Sequence, residues 1–175
     1  MSIWLIMLLV MVASALIQAV LESKFTKYSN VPASVTGAEA ARKMLAENGI
    51  NDVTVTCIGG HLTDHYNPTN KNINLSESVY NSRSIAAVAV AAHETGHALQ
   101  HAQGYAPVKL RSALVPVVSF CNQAVSWVLL LGVIMSEAFP GLLWAGITMF
   151  AMTTLFSFVT LPVEINASAR AIEWL

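Results

Sequence analysis

Three stretches of this chain carry no charged side chain: Met1–Leu21, Ser112–Ser136 and Ala138–Val163. Each meets the roughly 20 apolar residues that a helix needs to cross a bilayer core. Lipid offers no partner for backbone N–H and C=O groups, so stretches of this kind are expected to fold as helices. The rest of the composition agrees. Charged residues make up 11% of the 175 and hydrophobic ones 55%, against about 25% charged in soluble domains. Pro116, Asn122 and Gln123 interrupt the second stretch, so its lipid-facing part is expected to start near Val117. Pro140-Gly141 marks the turn before the third. Three membrane spans are expected.

The first stretch has a rival explanation as a cleaved signal peptide, because Ala13-Ser14-Ala15 resembles a cleavage site. No Lys or Arg precedes the apolar run, and the run continues to Leu21, so an uncleaved anchor is expected instead. Eight of the nine basic residues lie between the first and second spans: Lys24, Lys27, Arg42, Lys43, Lys71, Arg83, Lys109 and Arg111. The hairpin Ser136–Gly141 has none, and Arg170 follows the third span. The positive-inside rule then predicts a multi-pass plasma-membrane protein with residues 22–111 and the C-terminal segment in the cytoplasm. The net charge of −1 says nothing further about partners, and no basic patch suggests nucleic acid, so no nucleic-acid partner is expected. Cys57 and Cys121 fall in different segments and predict no disulfide.

Between the first two spans the residues read as a small α+β unit. Thr36-Gly-Ala-Glu39 is a capping box, opening a helix over Gly37–Glu47 that stops at Asn48-Gly49. Val53–Ile58 alternates like a strand, Gly59-Gly60 breaks it, and Ile73–Leu75 can form a second strand after the turn-rich Asn67–Asn72. A further helix is capped by Ser82 or Ser84 and runs to about His101–Gln103, before Gly104. The expected architecture is a mainly α membrane protein with about three transmembrane helices and this small cytoplasmic unit. Its parts are an anchor over residues 1–22, the α+β unit over 23–106, a two-span hairpin over 107–163 and a cytoplasmic segment over 164–175.

The last of these helices carries His93-Glu94-Thr95-Gly96-His97. Residues four apart on a helix lie one turn above each other, so His93 and His97 point the same way. Two imidazoles so placed can bind one Zn²⁺. Glu94 is rotated away from them and can reach a metal-bound water as general acid/base. Two histidines satisfied merely as polar groups on a buried helix are harder to sustain, because Ala91, Ala92, Gly96 and Ala98 leave them few partners nearby.

Catalytic zinc usually has three protein ligands. A third histidine in the metzincin arrangement would fall at Gln103, which excludes that class. His101 lies one turn past His97, but three successive ligands on a straight helix splay away from one metal, and a helix-end position near the dipole suits it better. His61, Asp64 and His65 cluster in a turn region, where loop chemistry or a contact to substrate would explain them. Glu164 follows the third charge-free stretch, and an ionisable residue at a membrane boundary calls for a partner. Two spans after the motif return the chain to the motif's side of the bilayer.

Several stretches together resemble the YugP-like membrane zinc metallopeptidases: Leu62-Thr-Asp-His-Tyr66, Ser84–Ala98, Gly104-Tyr-Ala-Pro107, Leu110–Pro116, Leu161-Pro-Val-Glu164 and Ala167-Ser168. The resemblance implies a gluzincin-like site with one Zn²⁺ per chain, held by His93, His97 and Glu164, and with Glu94 as the catalytic acid/base. The Glu-x-x-Ala-Ser segment is similar to the Glu-x-x-Ala-Asp of the HtpX and CAAX-prenyl protease groups, where the acidic residue orients a zinc histidine. Ser168 stands in that place here. The family also implies a further hydrophobic segment beyond Leu175.

The expected activity is hydrolysis of peptide bonds in a peptide or membrane-protein substrate beside the lipid bilayer. His65, Tyr66 and Arg170 are candidates for the oxyanion or substrate contact, and the sequence does not choose among them. By resemblance to other zincins, Asn72, Ile73, Asn74 and Leu75 are expected to form the edge strand that pairs with substrate. One rival is a non-catalytic zinc-binding scaffold or pseudoenzyme, although structural zinc sites are usually rich in cysteine. Another is a transporter with a metal relay, for which Glu137 and Glu164 supply few carboxylates.

Overall fold

The computed structural model of the chain describes residues 3–60 and 62–175. The chain divides into two compact units, one running to Ala98 and taking in Trp174 and Leu175, the other spanning Leu99–Glu173.

The first unit opens with helix α1 (Ile3–Ser29), whose apolar side chains are turned outward, Trp4 at 74% exposed and Ile17 at 70%. An apolar helix with no protein cover suits lipid. It continues past the charge-free stretch through Glu22, Lys24 and Lys27, residues suited to a membrane boundary. The chain is next pinned by Ala33 N–H donating to the Arg83 carbonyl at 3.1 Å and Ile85 N–H to the Val31 carbonyl at 2.9 Å. Helix α2 (Gly37–Glu47) has the expected capping box: Glu39 N–H donates to Thr36 Oγ1 at 3.1 Å and Thr36 N–H to Glu39 Oε2 at 2.8 Å. Gly37 is required there, because a Cβ would lie 2.4 Å from the Val79 carbonyl oxygen.

The sheet has three strands, β1 (Thr54–Ile58), β2 (His65–Asn67) and β3 (Asn72–Ser76), in the order β1-β3-β2. β1 runs parallel to β3 and β2 antiparallel to it. The expectation of an edge strand at Asn72–Leu75 is therefore wrong: β3 is the central strand. The turn-rich Asn67–Asn72 closes a hairpin, with Lys71 in the left-handed region at φ 50°, and folds His65–Asn67 back along β3. That three-residue strand has too little alternation to be seen in sequence, and it takes the edge. Val55, Ile73 and Leu75 face the core, while the opposite face carries a polar ladder. There Thr54 Oγ1 donates to Asn72 Oδ1 at 2.9 Å and Thr56 Oγ1 to Asn74 Oδ1 at 3.0 Å.

A short helix, α3 (Glu77–Tyr80), leads to α4 (Ile85–Ala102). Ser84 caps α4, its Oγ accepting Ala87 N–H at 3.2 Å. Ala87, Ala91 and Ala98 of α4 share one core with Ala38, Ala41 and Leu45 of α2 and with the apolar face of the sheet. Small side chains at the contact let the helix backbone lie close over the strands.

In the second unit, α4 ends at Gly104, whose φ of +65° lets Tyr105 N–H bond back to the Gln100 carbonyl at 3.0 Å. Helices α5 (Ala106–Ile134) and α6 (Pro140–Trp174) follow, with Pro116 and Pro162 inside them. A Cβ on Gly132 would come within 2.8 Å of Leu143 Cα, and one on Gly146 within 2.6 Å of a Leu129 methyl group. Glycine at these two contacts allows the close backbone approach typical of packed membrane helices. α6 is continuous through Val163 and Glu164, where the sequence divides an apolar span from a polar segment.

Among the described residues three helices, α1, α5 and α6, are long and apolar enough to cross a membrane. The protein is a mainly α membrane protein with a small α+β unit.

Candidate metal centre

Helix α4 turns His93 and His97 to one side, their ring centroids 4.8 Å apart and their planes nearly perpendicular at 85°. Both are half-buried, whereas Thr95 and Gly96 between them are buried. Thr95 Oγ1 donates to the Ala91 carbonyl at 2.8 Å, so it is satisfied within its own helix. The intervening residues thus serve packing and leave the imidazoles as the functional face.

Glu94 stands next to His93, rotated by the roughly 100° that separates successive residues of a helix. Its Oε2 accepts the Tyr66 N–H at 3.0 Å. That N–H consequently points away from β3, and the outer edge of β2 lies against Glu94. One backbone bond holds the carboxylate and marks the edge strand that belongs to the site.

Glu164 is half-buried on α6. His93, His97 and Glu164 each offer one ligand atom suited to a metal ion. Two imidazoles and a carboxylate are a fitting donor set for zinc, and three protein ligands leave a fourth position open, as catalytic zinc sites do.

The other candidates divide by what they touch. His65 takes up the polar face of the sheet: its Nδ1 lies 2.8 Å from the Thr63 carbonyl and its Nε2 3.1 Å from Asn74 Nδ2. Those partners make Nδ1 the donor and Nε2 the acceptor. The Tyr66 ring packs against the apolar core. Burial pushes the Tyr66 hydroxyl pKa up, with the negative charge of Asp52 adding to it, so the phenol is neutral at physiological pH. What Tyr66 presents to Glu94 is its main-chain N–H.

Arg170 is engaged elsewhere, its Nε donating to Asn166 Oδ1 at 2.8 Å and its Nη1 to Gln103 Oε1 at 2.7 Å. Ser168 is half-buried on α6 and His101 exposed in the last turn of α4. Asp64 is structural. Its carboxylate accepts Ser76 N–H at 2.8 Å and Ser76 Oγ–H at 3.1 Å, fixing the start of β2 against the end of β3. His61 lies outside the described residues.

Two features escape the sequence. One is the Tyr66 amide, signalled only by the turn-forming Asn67-Pro-Thr-Asn70 beside it. The other is Gln100, fully buried, which donates to the Val163 carbonyl and to Asn166. Its signal was a lone amide in an alanine-rich helix, three residues past His97.

A membrane protein with a His-Glu-x-x-His helix invites comparison with the membrane zinc metallopeptidases. Sequence comparison places it there: residues 3–175 match the family described as "Putative neutral zinc metallopeptidase", and the chain belongs to that family. It is similar to the "Putative membrane protease YugP" of Bacillus subtilis (strain 168), 47% identical over 152 residues that cover 86% of this chain and 67% of that protein. No solved structure matches the chain significantly.

Proposed function

We propose that this protein is a membrane-embedded zinc-dependent endopeptidase, with one zinc per chain held by His93, His97 and Glu164. The observation that carries the reading is the pair of imidazoles on one side of α4, His93 and His97 with ring centroids 4.8 Å apart, beside the Glu94 carboxylate held by the Tyr66 N–H. Family membership and the likeness to a membrane protease support the same chemistry.

Held by His93, His97 and Glu164, zinc would supply Lewis-acid polarisation of a peptide carbonyl and lower the pKa of a water towards about 7. Glu94 takes the proton of the attacking water and hands it to the leaving amine. The Tyr66 N–H orients the Glu94 carboxylate for both transfers. An extended substrate pairs with the outer edge of β2, and β3 stays within the sheet.

Elemental analysis of the purified protein is expected to give one zinc per chain. Peptide hydrolysis should stop on treatment with a zinc chelator and return on adding zinc back. Hydrolysis that persists in the metal-free protein would overturn the reading.

The basic residues set the orientation we propose, with the α+β unit in the cytoplasm of a cell whose plasma membrane holds the spans. A cysteine introduced in place of Lys71 should be shielded from an impermeant thiol reagent in intact cells, and one in place of Ser136 labelled, each in a background lacking Cys57 and Cys121. The reverse pattern would invert the topology.

A further inference from the structure

The last turn of α4 is tied to α6 by a connected set of polar side chains. Gln100 Nε2 donates to the Val163 carbonyl at 2.7 Å and to Asn166 Oδ1 at 3.0 Å. Asn166 Oδ1 also accepts Arg170 Nε–H at 2.8 Å, and Arg170 Nη1 donates to Gln103 Oε1 at 2.7 Å. The bonds therefore leave α4 at Gln100, cross α6 from Val163 to Arg170, and return at Gln103, in the turn just after α4.

A fully buried glutamine is an expensive way to fill a helix contact. Its amide must be desolvated and then fully satisfied, whereas leucine would fill similar volume without that penalty. Such a group repays its cost only by fixing a geometry that apolar contact leaves free. What it fixes is identifiable from the neighbours in sequence. Gln100 lies three residues after His97 on one helix, and Val163 immediately precedes Glu164 on the other.

The need for an outside tether is also local. Pro162 lies two residues before Glu164 and has no N–H to give to the carbonyl four residues back. α6 thus lacks one of its own hydrogen bonds in the turn just before Glu164. The bond from Gln100 grips the first carbonyl after that proline, and Asn166 and Arg170 extend the grip through the next turn.

We propose that Gln100, Asn166, Arg170 and Gln103 are positioning residues that hold α6 in the rotation at which Glu164 serves as a metal ligand. None of them touches the metal. The proposal rests on the reading of Glu164 as a zinc ligand.

The test is zinc affinity, measured by chelator competition on the full-length purified protein, together with the visible absorption of its cobalt-substituted form. Asn166→Leu removes the shared acceptor. It should weaken zinc binding by about 10–100-fold, as loss of a ligand-orienting partner typically does, and change the cobalt spectrum. Asn166→Asp keeps an acceptor for both Gln100 and Arg170, and should restore affinity to within about threefold of wild type on the same scale. Arg170→Met, at a half-buried site, gives the same reading with less risk to folding, and should shift affinity in the same direction.

Unchanged affinity and an unchanged spectrum in folded Asn166→Leu or Arg170→Met, while Glu164→Ala loosens zinc, would overturn the positioning role and leave the ligand set intact. Zinc held by Glu164→Ala as tightly as by wild type would overturn the ligand reading, and the positioning role with it.

Discussion

Replacing Glu94 with glutamine should lower peptide hydrolysis by about 10²–10⁴-fold, the range general acid–base catalysis typically supplies, and leave zinc content unchanged. The two halves of this result have different origins. Glutamine has nearly the size of glutamate and keeps a carbonyl oxygen for the Tyr66 N–H, so the contact between α4 and β2 survives. It cannot take a proton from water, so the chemistry does not. A non-catalytic scaffold would show no hydrolysis in either form. Full turnover in the glutamine variant, with contaminating protease excluded, would remove Glu94 from the mechanism. Loss of zinc on the same change would mean that Glu94 is itself a ligand.

The second large effect belongs to Glu164. Glu164→Ala deletes one of three proposed donors, and zinc affinity should fall by more than the 10–100-fold typical of losing a supporting residue. Hydrolysis should fall with it at zinc concentrations that saturate the wild type. Glu164→Asp keeps the carboxylate but withdraws it by one methylene, and should sit between the two. Dialysis against graded chelator followed by metal analysis measures all three proteins on one scale. Wild-type zinc retention and turnover in Glu164→Ala would transfer the third place to another donor.

The parts legible in sequence are those where one physical cause acts locally. Lipid demands helices of the charge-free stretches, and α1, α5 and α6 are such helices. Thr36 and Glu39 satisfy each other across a single turn, so the start of α2 could be read directly. The spacing of His93 and His97 needs only helix geometry to bring the rings together.

The parts that were not legible depend on residues far apart in the chain. β2 is three residues long and has no pattern of its own, existing because a turn lays it along β3. Resemblance to other zincins gives the edge to Asn72–Leu75, and only the hairpin shows that β2 takes that place. Arg170 illustrates the same limit: its charge suggested a role towards substrate, but Gln103, 67 residues away, and Asn166 take its donors. A pairing between distant polar side chains leaves no periodicity to detect.

The shortness of β2 has a consequence for selection of substrate. A strand of three residues offers about 10 Å of edge at the usual rise per residue, room for very few main-chain bonds. The one outward N–H known to face the site, that of Tyr66, already serves Glu94. Pairing so brief gives a freely diffusing peptide little reason to stay. A polypeptide anchored in the same bilayer meets the site at an effective concentration that can reach the millimolar range, without any added contact. If the protein is the endopeptidase proposed above, confinement to two dimensions would do the discriminating that a long groove does elsewhere, and the apolar helices would become part of the recognition apparatus.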